Sequence, residues 1–485
     1  MEGRVQPSRR SISMPRERLQ RGCRWAMILA ASLLVAGCAH YPLNQPITKT
    51  DPGSGYREGC TGTPGNSDHL VLYLTFSGGG TRAAAFSYGV LEELRNTVVA
   101  FDGKDRRLLD EVDSIAAVSG GSFTADYYGL FGERIFQDFE TKFLKKNIQG
   151  KLANKIIFNP YNWCRLLSPA FDRSDLAAEY YDQHIFDHGT FADMAARKGP
   201  MIFINATDMV TGIRLGFSQD FFDMICSDLS KFPVARAAAA SSAVPGLLTP
   251  MSLRNYAGSC GFTLPGGLER VLQEQDTAAR QYHFVDDARP YLNADEKRYI
   301  HLVDGGVADN LGLRTVLDRV TLAGSAWNAL KHVGAERTHK FVFIVVNAET
   351  EVSRDYSSWP NPPALAAMLK SYSSIAIDRY NYETVMLLRE SFRRWTEEVQ
   401  KGRCGEGPVS TEPGACGDIK FYLIEVKFDA LKDLAERSHF KGLHTTFKLP
   451  EQEVDKLREV ARRILSQSGE YQRLLRDLQN SPEGN

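Results

Sequence analysis

At 485 residues, with 43% hydrophobic and 10% aromatic side chains, the chain can bury one large core or two smaller ones, which excludes a disordered polypeptide. A net charge of -1, with no basic block beyond the N-terminal region, excludes a general attraction to nucleic acid. There is no internal repeat and no low-complexity run.

Arg16, Arg18, Arg21 and Arg24 precede an apolar run from Trp25 to Leu34, followed by Val35-Ala36-Gly37-Cys38. The run is too short to span a bilayer stably, so residues 1–37 read as a secretory signal, with Met14 as an alternative start that leaves a more usual length. Small residues directly before a cysteine resemble the lipobox of bacterial lipoproteins, which implies that Cys38 is the lipid-bearing mature N-terminus. An uncleaved anchor or a cut elsewhere is the alternative. Ala39 stands where an aspartate would suggest inner-membrane retention, so the resemblance implies an outer-membrane lipoprotein facing the periplasm or the surface. Residues 38–68, rich in Pro, Gly, Thr and Asp without apolar periodicity, read as a tether.

The apolar strand Leu74-Thr75-Phe76 breaks into Ser77-Gly78-Gly79-Gly80-Thr81-Arg82 before a helix, which makes a cradle of unpaired N–H groups for negative charge. No Lys-Ser/Thr pair follows, so this is not a Walker loop, and Gly78-x-Gly80-x-x-Ala83 is a weak dinucleotide match. Downstream, the buried strand Ser114–Val118 enters Ser119-Gly120-Gly121-Ser122 and a helix. A serine on such a turn exposes its hydroxyl, with Ala117, Gly120 and Gly121 relieving the crowding; an ordinary Gly-rich turn is the competing reading. A third strand, Arg298–Val303, ends in Asp304-Gly305-Gly306 and places a carboxylate at a strand's C-terminal mouth. An anion cradle, a serine and a carboxylate are the parts that acyl transfer needs.

Gly78–Arg82, Ala117–Gly121 and Asp304–Gly306 together resemble the three blocks of patatin-like phospholipases, in that family's order. Ala206–Gly212 and Ala239–Gly246 resemble two further blocks, Thr445–Pro450 is a fainter echo, and the resemblance runs from about Leu70 to Asn347. It implies a Ser119–Asp304 dyad without histidine, an oxyanion hole from Gly78, Gly79, Gly80 and Arg82, an elbow of Ala117, Gly120 and Gly121, and an Asp-Gly-Gly turn closed by Gly305 and Gly306. Ala117 and Ala83 depart from glycines frequent in the family. An aspartate needs an apolar site or a hydrogen bond from the serine to act as base, and each oxyanion donor is worth roughly 3 kcal/mol. Arg82 reads either as a solvated or core-bridging cation or as a charge that orients the loop or a lipid phosphate. A histidine triad has the weaker case: His301 lies three residues from Asp304 on a strand, hence on the opposite face, and His444 is distant.

Alternating strand and helix patterns imply a three-layer α/β/α domain with a mostly parallel central sheet over residues 69–347, including the late strand Lys340–Val346. Residues 130–199 form an insertion whose Phe158, Tyr161, Trp163, Leu166, Phe171, Tyr180 and Tyr181 make either a lid or a packed cap. Residues 348–485 read as a helical and strand extension packed on that core. Leu365, Met368, Leu369, Tyr372, Ile375 and Ala376 form one apolar helix face, and Val454, Leu457, Val460 and Ile464 another. Six cysteines remain after Cys23 and Cys38; Cys404–Cys416 is the expected local disulfide, and no spacing suggests a metal.

The expectation is therefore a membrane-anchored lipid acyl ester hydrolase that needs no cofactor and acts on membrane lipid. Lipid acyl transfer through the same intermediate, or lipid binding without turnover, are the alternatives. Oligomeric state is not legible.

Overall fold

The computed structural model describes residues 43–59, 63–244, 247–351, 360, 365–405 and 418–480. By backbone proximity these fall into two units, residues 154–172 and the remainder, each taken here by itself.

The larger unit is built on an eight-stranded sheet. Its strands are β1 (Leu70–Phe76), β2 (Val112–Val118), β3 (Met201–Asp208), β4 (Arg214–Gly216), β5 (Met251–Arg254), β6 (Tyr299–Asp304), β7 (Lys340–Asn347) and β8 (Lys420–Lys427), in the order β8-β7-β1-β2-β3-β6-β5, with β4 also on β3. β8, β7, β1, β2 and β3 run parallel. β7, β1, β2 and β3 are buried along nearly their whole length because helices flank the sheet, whereas the edge strand β8 alternates buried and half-buried residues. The three-layer, mostly parallel expectation therefore holds, and β6 runs antiparallel to β3. Alternation and apolar content carry no strand direction. Asp304 reaches the serine's end of the sheet from the opposite sense, pairing with Ala206 one step beyond the Val118–Asn205 pair.

Five helices matter here: α1 (Gly80–Asn96), α2 (Gly120–Phe131), α3 (Val234–Ser241), α4 (Leu365–Cys404) and α5 (Glu451–Gln467). α1 and α2 begin directly at the glycine turns that end β1 and β2. α5 buries Val454, Leu457, Val460 and Ile464, and its backbone at Arg458 presses on Gly89 of α1, where no side chain fits. Of the apolar face expected on α4, Met368, Ile375 and Ala376 are exposed; the buried residues of this helix lie further along, at Leu388, Trp395 and Val399. Among the described residues no helix is long and apolar enough to cross a membrane.

The tether expectation requires correction for residues 43–59, which dock on the body. Gln45–Pro46 pairs with Ser227–Asp228, and Asn44 donates to Ser227 Oγ at 2.7 Å and to the Arg254 carbonyl at 2.9 Å. Arg57 meets Asp220 and Asp223 at 2.7 Å each, and buried Tyr56 accepts from the Ile202 N–H at 2.8 Å. Cys226 and Cys260 form a disulfide, a pairing without a sequence signal. Cys404 is also disulfide-bonded, but Cys416 and the expected bridge to it lie outside the described residues, as do the signal region and Cys38.

Within the smaller unit, Pro160–Leu166 is a short helix capped by Asn159, and Arg165 stacks 3.6 Å from the Phe171 ring centre. The aromatics of the insertion meet two fates: Phe158, Tyr161 and Trp163 are exposed, while Phe171, Tyr180 and Tyr181 are buried.

Candidate active site

Ser119 occupies the step between β2 and α2 with φ 50° and ψ -119°, a left-handed backbone that costs a non-glycine residue of order 1–3 kcal/mol. Such strain persists only where neighbours enforce it. Gly120 is required for close approach, because any Cβ there would collide with the Gly80 carbonyl. Gly80 itself has φ 61°, so the first glycine loop turns left-handed directly above the second. A Cβ on Gly78 would lie 3.3 Å from Ser119 Cβ, which sets that glycine against the serine side chain.

Asp304 ends β6 beside them. Its Oδ1 accepts the Gly306 N–H at 2.7 Å, and its Oδ2 has no hydrogen-bond partner among the described residues. Burial raises its pKa to about 6, with the Gly306 N–H and the Ser119 hydroxyl pulling it back in part. The serine is thus near enough to act on the carboxyl, although no bond of full geometry closes between them, as is common before substrate tightens a site. Both residues are almost sealed, Ser119 at 4% and Asp304 at 8% exposure. Val307, three residues past the carboxyl, is 55% exposed.

Two members of the expected oxyanion hole require correction. The Gly78 N–H already donates to the Asn310 carbonyl at 3.1 Å, so it is not free for a bound oxygen. Arg82 is buried, and its guanidinium donates to the carbonyls of Ala348 and Leu443 at 2.9 and 2.6 Å and to Thr445 Oγ1 at 3.3 Å. It braces the loop against the C-terminal segment, with these donors committed to protein acceptors. By contrast, the N–H groups of Gly79 and Gly80 have no acceptor among the described residues. The Thr81 N–H meets the Thr446 carbonyl at 2.9 Å, so the faint sequence echo at Thr445–Pro450 walls the same loop.

The histidines stand apart. His301 Nδ1 bonds Ser252 Oγ at 2.8 Å across the β5–β6 pair, and exposed His444 makes no hydrogen bond to Asp304. Gly305 packs against the Asn205 carbonyl, and Ala117 gives its carbonyl to Asn205 Nδ2 at 3.2 Å. No group of three or more His, Cys, Asp or Glu among the described residues could hold a metal. A groove of about 620 Å³ lined by His439, Phe440, Asp455 and Val460 contains none of the motif residues and has no part in this arrangement.

Sequence reasoning missed Asn310, Asn205, Thr207 and Ser241. Asn310 sets its side-chain oxygen against both Gly78 and Gly306, and Thr207 Oγ1 donates to the Asp304 carbonyl at 2.9 Å. Thr207 and Ser241 lie inside blocks already noted for resemblance, which was the only signal available.

No curated protein matches the sequence. Among solved structures, human GIVD cytosolic phospholipase A2 is similar with a TM-score of 0.44 at 12% identity, over 85% of this chain and 63% of that one. The same enzyme in complex with methyl gamma-linolenyl fluorophosphonate gives 0.41 at 11% identity, over 85% and 60%. The chain thus spans less than two thirds of the length of these structures. The family model for patatin-like phospholipase matches residues 74–317, half of the chain and all three glycine motifs, and the chain belongs to that family.

Proposed function

We propose that this protein hydrolyses acyl esters of lipids, with Ser119 as nucleophile and Asp304 as its base. The observation that carries the reading is a serine on a strained elbow beside a sealed carboxyl whose Oδ2 is unbonded and whose pKa is raised to about 6. Ser119 Oγ forms a bond to the ester carbonyl carbon as its proton passes to Asp304. The N–H groups of Gly79 and Gly80 receive the negative oxygen, in a site where water is nearly excluded. Collapse of the tetrahedral intermediate breaks the ester C–O bond, and Asp304 returns the proton to the leaving alcohol. Water then attacks the acyl-serine, giving its proton to Asp304, and the fatty acid leaves as Ser119 recovers it.

Family membership supports lipid as the substrate class. We further propose that Cys38 carries an acyl anchor and holds the enzyme at the outer membrane.

The test is fluorophosphonate labelling of the full chain, with turnover of a soluble nitrophenyl ester and of mixed phospholipids. Labelling confined to Ser119 and turnover lost in Ser119→Ala and Asp304→Ala support the reading. Equal turnover in all three proteins would leave a lipid-binding protein, and acyl groups on an added acceptor without free fatty acid would indicate transfer. Incorporation of an alkynyl palmitate that disappears in Cys38→Ser tests the anchor.

A further inference from the structure

β2, which carries Ser119, and β6, which carries Asp304, are not neighbours; β3 lies between them. Two strand spacings separate the two main chains by roughly 10 Å, so no ladder of hydrogen bonds ties one loop to the other. Something outside the sheet has to set their separation.

Ser241, the last residue of α3, is fully buried and reaches both. Its Oγ accepts the Ser119 N–H at 2.8 Å and donates its own proton to the Asn205 carbonyl on β3 at 2.6 Å. With that proton committed, the lone pairs of Oγ are what remain for the elbow, and Ser122 Oγ lies 3.0 Å away as a further donor. Through its main chain, the Ser241 carbonyl accepts the Gly305 N–H at 3.1 Å, and Ala243, two residues on, accepts the Asp304 N–H at 3.1 Å. One residue therefore grips the elbow by its side chain and the carboxyl's loop by its backbone, with β3 as the fixed point.

We propose that Ser241 is a positioning residue that sets the spacing of Ser119 and Asp304 and holds the elbow in its left-handed conformation. The inference rests on the Ser119–Asp304 reading given above. Without the hydroxyl, the Ser119 N–H loses its only side-chain acceptor among the described residues and its peptide is free to rotate toward an unstrained backbone, which carries Oγ away from the carboxyl. A displacement of about 1 Å at reacting atoms costs on the order of a hundredfold in rate.

The test uses the full chain with Ser241→Ala, Ser241→Thr and, as a buried-hydroxyl control, Thr124→Val, whose hydroxyl donates to the Ala84 carbonyl at 2.9 Å and touches neither Ser241 nor the dyad. Ester turnover, the rate of fluorophosphonate labelling and the thermal midpoint are measured on each. Ser241→Ala is expected to lower kcat and the labelling rate about ten- to a hundredfold with KM within about twofold, Ser241→Thr to restore most of the rate, and Thr124→Val to stay within about twofold. Wild-type kcat and labelling in Ser241→Ala overturn the proposal, as does an equal fall in Thr124→Val, which reports general loosening. If Ser241→Ala does not fold, Ser241→Cys replaces it: slow labelling beside a fast threonine variant supports the role, and equal rates overturn it. Turnover retained in Ser119→Ala overturns the nucleophile reading and this inference together, whereas turnover lost there but kept in Ser241→Ala overturns this inference alone.

Discussion

The end of β6 and the middle of α2 each hold an aspartate sealed from water, and they have different chemistry. Asp126 lies seven residues beyond Ser119, fully buried, with neither carboxyl oxygen bonded, and burial alone pushes its pKa well above the carboxylate range. Burial favours its neutral form. Asp304 feels the same burial, but one backbone N–H and the serine hydroxyl pull it back to about 6. Desolvation alone makes a carboxyl inert, and desolvation partly offset by donors leaves one that ionises near neutral pH and can accept a proton.

The largest expected effect is on turnover. Ser119→Ala and Asp304→Ala should each lower kcat/KM on a soluble ester by at least about a thousandfold, while Asp126→Asn stays within about twofold. A comparable loss in Asp126→Asn would erase the distinction between the two sites.

A third buried carboxyl extends the contrast. Asp208 is held below the usual range by Lys297 at 2.6 Å and the Tyr291 hydroxyl at 2.5 Å, so it stays charged. Lys297→Met should strand that charge and cost about 3–5 kcal/mol, read from urea melts. A cost below about 1 kcal/mol would mean that Asp208 simply takes up a proton.

Asp304→Asn should abolish turnover and yet stabilise the fold at pH 8 by up to about 3 kcal/mol. Because the folded pKa is raised from 3.8 to about 6, the stability tied to protonated Asp304 is complete below about pH 4 and is lost as pH rises through about 6. The stability gap between wild type and Asp304→Asn therefore opens across that window, and kcat/KM of the wild type rises across it as the base ionises. A flat stability difference from pH 4 to 8 would contradict the raised pKa. Smallest is Asp126→Asn, which puts a neutral amide where burial already disfavours a charge and should move stability by less than about 1 kcal/mol at any of these values.

Much of this site was legible because its chemistry is local in the chain. Gly78–Gly80, Ser119–Gly121 and Asp304–Gly306 each combine a strand end and a tight turn within a few residues, which a single window of sequence displays. What escaped is non-local. Ser119 and Ser241 are 122 positions apart, and Ser241 and Asn205 are 36 apart, so neither contact leaves a spacing to read. The Gly78 N–H is consumed by Asn310, more than two hundred residues on, which no count of glycines reveals. Residues 43–59 looked like a linker because they are polar and rich in turns, and their order comes from partners at Asp220, Asp223, Ser227 and Arg254.

That docked segment changes the geometry of any attachment at Cys38. A free linker to residue 68 would leave thirty residues of slack, whereas a chain seated from Leu43 onward leaves five, a leash of at most about 18 Å when fully drawn out. An acyl group on Cys38 would then keep Leu43 within about that distance of the bilayer that carries it.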